Sequence, residues 1–232
     1  PKNKVLILCN PHNPVGRVWT KAELEEIAEI CKCHNVFVIA DEIHGDFALP
    51  PYRYTPYLTI SENAAQNSAA CLSPAKTFNI AGAVDAITII PNETHRHNFH
   101  NFAHRYQINK VNVFASAAIE SAYIEGGDWL DALLVYLQGN IDLIQNFLES
   151  NDIDISLIKP EGSFLVWLDF RELGLDVKEL QKFLAQEAQI ALSPGYWFGR
   201  EGAGFARMTI ACPREILQRA LDNLAEAVKK LS

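Results

Sequence analysis

The chain has 232 residues, 49% of them hydrophobic and 21% charged, enough apolar material for a sizeable core. Its 28 acidic residues outnumber its 20 basic ones, for a net charge of −8, which argues against a nucleic-acid-binding surface. No apolar run approaches the roughly 20 residues of a membrane-spanning helix, and the opening Pro1-Lys2-Asn3-Lys4-Val5 lacks the apolar stretch of a signal peptide, so a cytoplasmic protein with no membrane partner is expected.

Val5 to Cys9 is a short, fully apolar run that predicts a buried parallel strand. A turn-rich segment follows, Asn10-Pro11-His12-Asn13-Pro14-Val15-Gly16. Thr20 and Glu23 have the spacing of a capping box, and Leu24, Ile27, Ala28 and Cys31 continue at helical intervals. Val36 to Ala40 predicts a second buried strand, which completes a strand–helix–strand unit with parallel strands. Ala69 to Leu72 and Ala86 to Ile90 predict two more strands. Helices are expected over His95 to Asn109, Ser116 to Ile124 and, at greater length, Asp128 to Leu148. The order then changes. Strands are predicted over Ile153 to Ile158 and Phe164 to Leu168, a helix over Val177 to Ala188, a strand over Ala206 to Ile210 and an amphipathic helix over Pro213 to Leu231. The expected division is an α/β part over residues 1–125 and a smaller α+β part over 126–232 that includes the long connecting helix.

Four features could carry chemistry, and each has a plain alternative. Asn13 follows a strand, where open α/β sheets bind ligands, but Asn-Pro pairs also simply make turns. Asp41-Glu42-Ile43-His44 puts a carboxylate at the end of a strand, where it meets a ligand or caps a turn. Lys76, within Ser73-Pro74-Ala75-Lys76-Thr77-Phe78-Asn79, is a solvated lysine or a nucleophile toward a carbonyl. Arg207 lies inside an apolar run, as a bidentate carboxylate holder or as an edge-strand charge facing water. The five cysteines are an odd set, expected to be reduced thiols. Cys31 and Cys33 fall on different faces of a helix, which argues against a metal. His95, His97, His100 and His104 lack an acidic partner for a metal site, so no metal is expected.

Taken together and in this order, the four features resemble the fold-type I enzymes that use pyridoxal 5'-phosphate (PLP), the aspartate-aminotransferase superfamily. The likeness is nearest to the MalY/PatB-type branch of cystathionine β-lyases and cysteine-S-conjugate β-lyases. It is carried by Cys9 to Arg17, Ala40-Asp41-Glu42-Ile43-His44, Ser73 to Gly82, Asn112-Val113-Phe114, Pro160 to Asp169, Leu192-Ser193-Pro194-Gly195, Trp197-Phe198-Gly199 and Arg207 to Arg214. The resemblance implies an incomplete PLP-transferase-like three-layer α/β/α large domain with a smaller C-terminal α+β domain. It also implies a homodimer and a small amino-acid substrate. Lys76 is implied as the residue that binds PLP as a Schiff base and then acts as the base at the substrate's Cα. Asp41 is implied to pair with the pyridinium nitrogen, Asn13 to bond the ring oxygen, and Ser73 to bind the phosphate. His44 stands where aminotransferases usually carry a tyrosine, and Arg207 is implied to hold the substrate carboxylate. The reaction implied is β-elimination of a thiol; aminotransfer and a non-catalytic regulatory role are the alternatives.

Two departures from the family pattern stand out. Many relatives have a phosphate-binding arginine eight residues after the lysine, where this chain has Val84, followed by Asp85. The family also carries an N-terminal section before the segment with which this chain opens, so exposed sheet edges are expected here.

Overall fold

The computed structural model describes residues 4–82 and 86–231. The segment at Val84 and Asp85, where many relatives carry a phosphate-binding arginine, lies outside the described residues. The chain forms two units. The first holds the residues up to His12 together with Arg17–Ala132, and the second holds Asn13–Gly16 together with the residues from Leu133 onward.

In the first unit, β1 (Val5–Cys9), α1 (Lys21–His34) and β2 (Phe37–Asp41) form the expected strand–helix–strand unit with parallel strands. Thr20 accepts the Glu23 backbone N–H while Glu23 accepts that of Thr20, so the capping box closes both ways and starts α1. Leu24, Ala28 and Cys31 then point inward at helical spacing, whereas Cys33 is exposed. Asn35 ends the helix in the left-handed region at φ 52°. After α2 (Glu62–Gln66) comes β3 (Ser68–Leu72), parallel to β2. The short α3 (Pro74–Thr77) follows, and β4 (Ile87–Ile89) runs antiparallel to β3. The sheet order is β1-β2-β3-β4. Its core is built from Leu8, Leu24, Ala28, Val38, Ala40, Tyr57 and Ala70.

One expectation is corrected. Val5 to Cys9 reads as a buried strand, yet Val5 is 50% and Ile7 69% exposed while Leu8 is buried. The strand is the outer member of the sheet, and among the described residues only one of its faces is covered. A uniformly apolar run shows that both faces suit burial, not that both are buried.

Helices α4 (Glu93–Arg105) and α5 (Val113–Glu125) complete this unit, and the long α6 (Gly127–Ser150) passes from the first unit into the second. In the second unit β5 (Ser156–Ile158), β6 (Leu165–Asp169), β7 (Ser193–Pro194) and β8 (Phe205–Thr209) form an antiparallel sheet in the order β5-β6-β8-β7. Leu137, Ile141, Ile144 and Leu148 form the buried stripe of α6, and Leu217, Leu221 and Leu224 that of α8 (Arg214–Lys229). Asn140, fully buried on α6, donates to the Ile210 carbonyl at 2.8 Å and accepts from Arg214 Nε at 3.1 Å. These bonds tie α6, the end of β8 and the start of α8 together. The helix expected from Val177 to Ala188 is regular only as α7 (Val177–Lys182). It then widens into a π-helical turn, Phe183–Glu187, that buries Phe183 and Leu184 side by side. Among the described residues no helix is long and apolar enough to cross a membrane.

Candidate active site

Sheet register decides which side chains share an end of the first unit. Cys9 pairs with Asp41, and Asp41 with Cys71, so β1, β2 and β3 finish in step. Asp41 closes β2 and is half-buried, and Ser73 and Lys76 follow β3 at once. A carboxylate and a primary amine therefore leave the carboxyl ends of two neighbouring parallel strands, which is where open α/β sheets bind ligands. Lys76 is exposed and Ser73 half-buried.

The turn after Asp41 is held from below. Glu42 is 3% exposed, and its carboxylate accepts the Tyr54 hydroxyl and the Tyr57 backbone N–H, each at 2.6 Å. Burial raises the Glu42 carboxyl above its ordinary value, and burial also raises the Tyr54 hydroxyl. His44 is buried, and its ring lies 6.1 Å from that of Phe47. Thr77 donates to the Asp46 carboxylate at 2.6 Å, so the turn after β2 and the helix after β3 are pinned to each other. Phe78 in turn packs against Tyr123 and Trp129.

Asn13 and Arg207 belong to the second unit. Arg207 Nη1 donates to Asn13 Oδ1 at 2.9 Å and Nη2 to Ser193 Oγ at 3.1 Å, and its guanidinium lies 4.9 Å over the Phe198 ring. Strand β8 is an inner strand, so Arg207 is not the edge-strand charge that its sequence context also allowed. Burial lowers its pKa, as expected for a cation partly withdrawn from water. The Asn13–Gly16 loop is fastened to the same unit by the Gly16 carbonyl, which accepts the N–H groups of Glu161 and Gly162, both at 2.9 Å. A Cβ on Gly16 would lie 2.6 Å from Pro160 Cβ, and its φ is +78°, so only glycine fits.

The structure thus groups Asp41, His44, Ser73 and Lys76 in the first unit and Asn13 with Arg207 in the second. No local pattern in the sequence gives Glu42, Thr77 or the supports of Arg207 a role. Ser193 and Phe198 lie in stretches that carry the family likeness, but nothing local marks either as a partner of Arg207. The four-histidine helix remains exposed, and among the described residues no cluster of three or more potential metal ligands occurs.

A lysine and an aspartate thus stand at adjacent strand ends of a partly parallel sheet, and the antiparallel unit that follows presents an arginine. The sequence profile described as aminotransferase class I and II matches residues 1–224, and the chain belongs to that family. It is 39% identical over 228 residues to the cystathionine β-lyase PatB of Bacillus subtilis, covering 98% of this chain and 59% of that protein. To protein MalY of Escherichia coli it is 36% identical over 230 residues, covering 99% and 58%. Among solved structures it resembles cystalysin from Treponema denticola, which contains a PLP cofactor. The TM-score is 0.92 and the identity 36%, over 99% of this chain and 58% of that one. The PLP-transferase-like α/β fold is therefore present over the part this chain spans, and the chain spans about 58% of the length of these relatives.

Proposed function

We propose that the chain is part of a PLP-dependent carbon–sulfur β-lyase acting on cystathionine- or cysteine-type amino acids, with a thiol, pyruvate and ammonia as products. The observation that carries this reading is the placement of Lys76 and Asp41 at the carboxyl ends of neighbouring parallel strands, in a family whose members include the cystathionine β-lyase PatB.

The donor set suits the cofactor. The exposed Lys76 amine would carry it covalently through its aldehyde carbon, and the half-buried Asp41 carboxylate would keep its ring nitrogen protonated, because an opposite charge favours the charged form. The Ser73 hydroxyl is offered to the phosphate, and Asn13 and His44 to the ring oxygen. When bound, the cofactor supplies an electron sink for a carbanion at the substrate's Cα. Arg207 holds the substrate's α-carboxylate through a planar, bidentate pair. Lys76 Nζ, once free, would take the Cα proton, the C–S bond at Cβ would break with its electron pair leaving on sulfur as thiolate, and addition of water to the unsaturated amino acid that remains would give pyruvate and ammonia. In this reading residues 1–125 are the C-terminal portion of the PLP-binding large domain and residues 126–232 the small domain. The working enzyme is a cytoplasmic homodimer.

Reducing the PLP-treated chain with borohydride is expected to leave the cofactor's mass on the peptide that contains Lys76, and on none in Lys76→Ala. Label elsewhere, or label that survives Lys76→Ala, rules the reading out. Pyruvate released from cystathionine identifies the lyase. Amino-group transfer to a keto acid without pyruvate identifies an aminotransferase instead.

A further inference from the structure

Five side chains of the second unit form one continuous column. At one end the Arg171 guanidinium lies 4.7 Å over the Phe205 ring. Phe205 is stacked on Trp167, with centroids 5.4 Å apart and planes 9° from parallel. Trp167 meets Phe198 edge to face at 5.5 Å and 87°, and Phe198 lies beneath Arg207 at 4.9 Å. Two cations thus cap a run of three rings, each contact in a geometry that the ring quadrupole favours.

The sheet builds most of this column. Asp169 pairs with Phe205, Trp167 with Arg207, and Ser193 with Arg207. Because alternate residues of a strand share a face, these registers place Trp167, Asp169, Ser193, Phe205 and Arg207 on one face of the sheet. The far end is pinned as well. Asp169 accepts from Arg171 through both carboxylate oxygens at 2.7–3.1 Å. Gly204, at φ +82°, lacks the Cβ that would come within 2.6 Å of the Arg171 side chain, and so leaves it room to cross Phe205. At the near end Asn13 and Ser193 take one Nη each, and Phe198 takes the face.

We infer that Phe198 and Trp167 are positioning residues for Arg207, and that this cation–aromatic column sets the plane of its guanidinium before a carboxylate arrives. The inference rests on the reading above that Arg207 holds the substrate carboxylate. An arginine free to rotate loses orientational freedom on forming a planar, two-bond pair, and one held on its face and at two nitrogens has lost it already. The column therefore acts on substrate affinity and not on proton transfer.

Two readouts test this on the full 232-residue chain. The first is the rate at which phenylglyoxal labels Arg207, followed by peptide mapping, which needs no cofactor. The second is saturation of the PLP-treated chain by L-alanine, an amino acid without a leaving group, followed by visible absorbance. Phe198 is 40% exposed on a surface turn, so its replacement does not open the core. Phe198→Leu keeps the bulk and loses the ring face. It is expected to speed Arg207 labelling and to weaken L-alanine about five-fold, equivalent to about 1 kcal/mol, with the absorbance change at saturation unaltered. Phe198→Tyr restores both readouts, and Trp167→Phe gives intermediate ones. Unchanged labelling in Phe198→Leu overturns the inference, as does equal loss in Phe198→Leu and Phe198→Tyr. Arg207→Ala separates the two claims. If it leaves L-alanine saturation unchanged, the carboxylate reading fails; in that case, and where the unsubstituted chain does not saturate, labelling alone decides whether the column holds the guanidinium.

Discussion

At the scale of single residues, Glu42 shows what lies beneath the chemistry. Its carboxylate is the acceptor for one buried and one half-buried donor, and Glu42→Ala would leave both without it, at a cost of about 1–3 kcal/mol. Chemical denaturation is expected to show that loss. Glu42→Gln should keep both bonds, its carbonyl accepting from Tyr57 and its amide donating to the Tyr54 oxygen. The two side chains differ in pH dependence. Burial raises the Glu42 carboxyl above its ordinary 4.5, so the folded state keeps a proton that the unfolded chain releases. The stability contributed by that proton is complete below 4.5 and is lost as the pH rises through the folded value. Glu42→Gln, neutral throughout, is expected to flatten this fall in denaturation series run at successive pH values. An identical slope in the two proteins would mean that the buried carboxyl is not felt. The site residues differ in how far sequence could expose them. Lys76 and Asp41 stand at or soon after a strand end, where position allows a site and only the family resemblance gives each a role, whereas Glu42 reads as one more charge in a loop until its two partners, 12 and 15 residues away, are in view.

At the scale of elements, local signals did well where an element is held by its own sequence. Helix α1 begins where Thr20 and Glu23 say it should. Thr20→Ala is expected to cost about 1 kcal/mol, as loss of a helix cap does, with helicity lost first at that end. Glu23 is drawn down to about 2, first by its hydrogen bond from Arg17 and then by those from Thr20. A lowered folded value means that the cap's contribution is present above 4.5 and declines as the pH falls toward 2. Circular dichroism during acid titration is expected to show this decline, which Glu23→Gln abolishes. The last turn of α7 marks the limit of such signals. An apolar spacing that predicts a helix to Ala188 does not reveal the widened turn at Phe183–Glu187.

At the scale of the whole molecule, the chain carries exposed apolar side chains that a stable sheet protein normally covers. Val5 and Ile7 on β1, with Val113, Phe114 and Ile124 on α5, are 50–76% exposed in the first unit. An outer strand with an apolar face is a template for association. The molar mass measured by light scattering is expected to rise with protein concentration, and Ile7→Lys with Phe114→Lys to suppress that rise without changing the circular dichroism spectrum. Scattering that ignores both substitutions would place the association elsewhere. The sequence by itself determined the longer helices, most strands, the order of the candidate site residues and the family they resemble. It could do so because period, caps and motif spacing are written within a few residues of where they act. Only the tertiary structure decided that Asp41 ends level with Cys71 on the next strand, and that Arg207 rests on a column of rings reaching back to Arg171. Those facts depend on strand register and sheet order, which join residues tens of positions apart, and no short-range pattern specifies them.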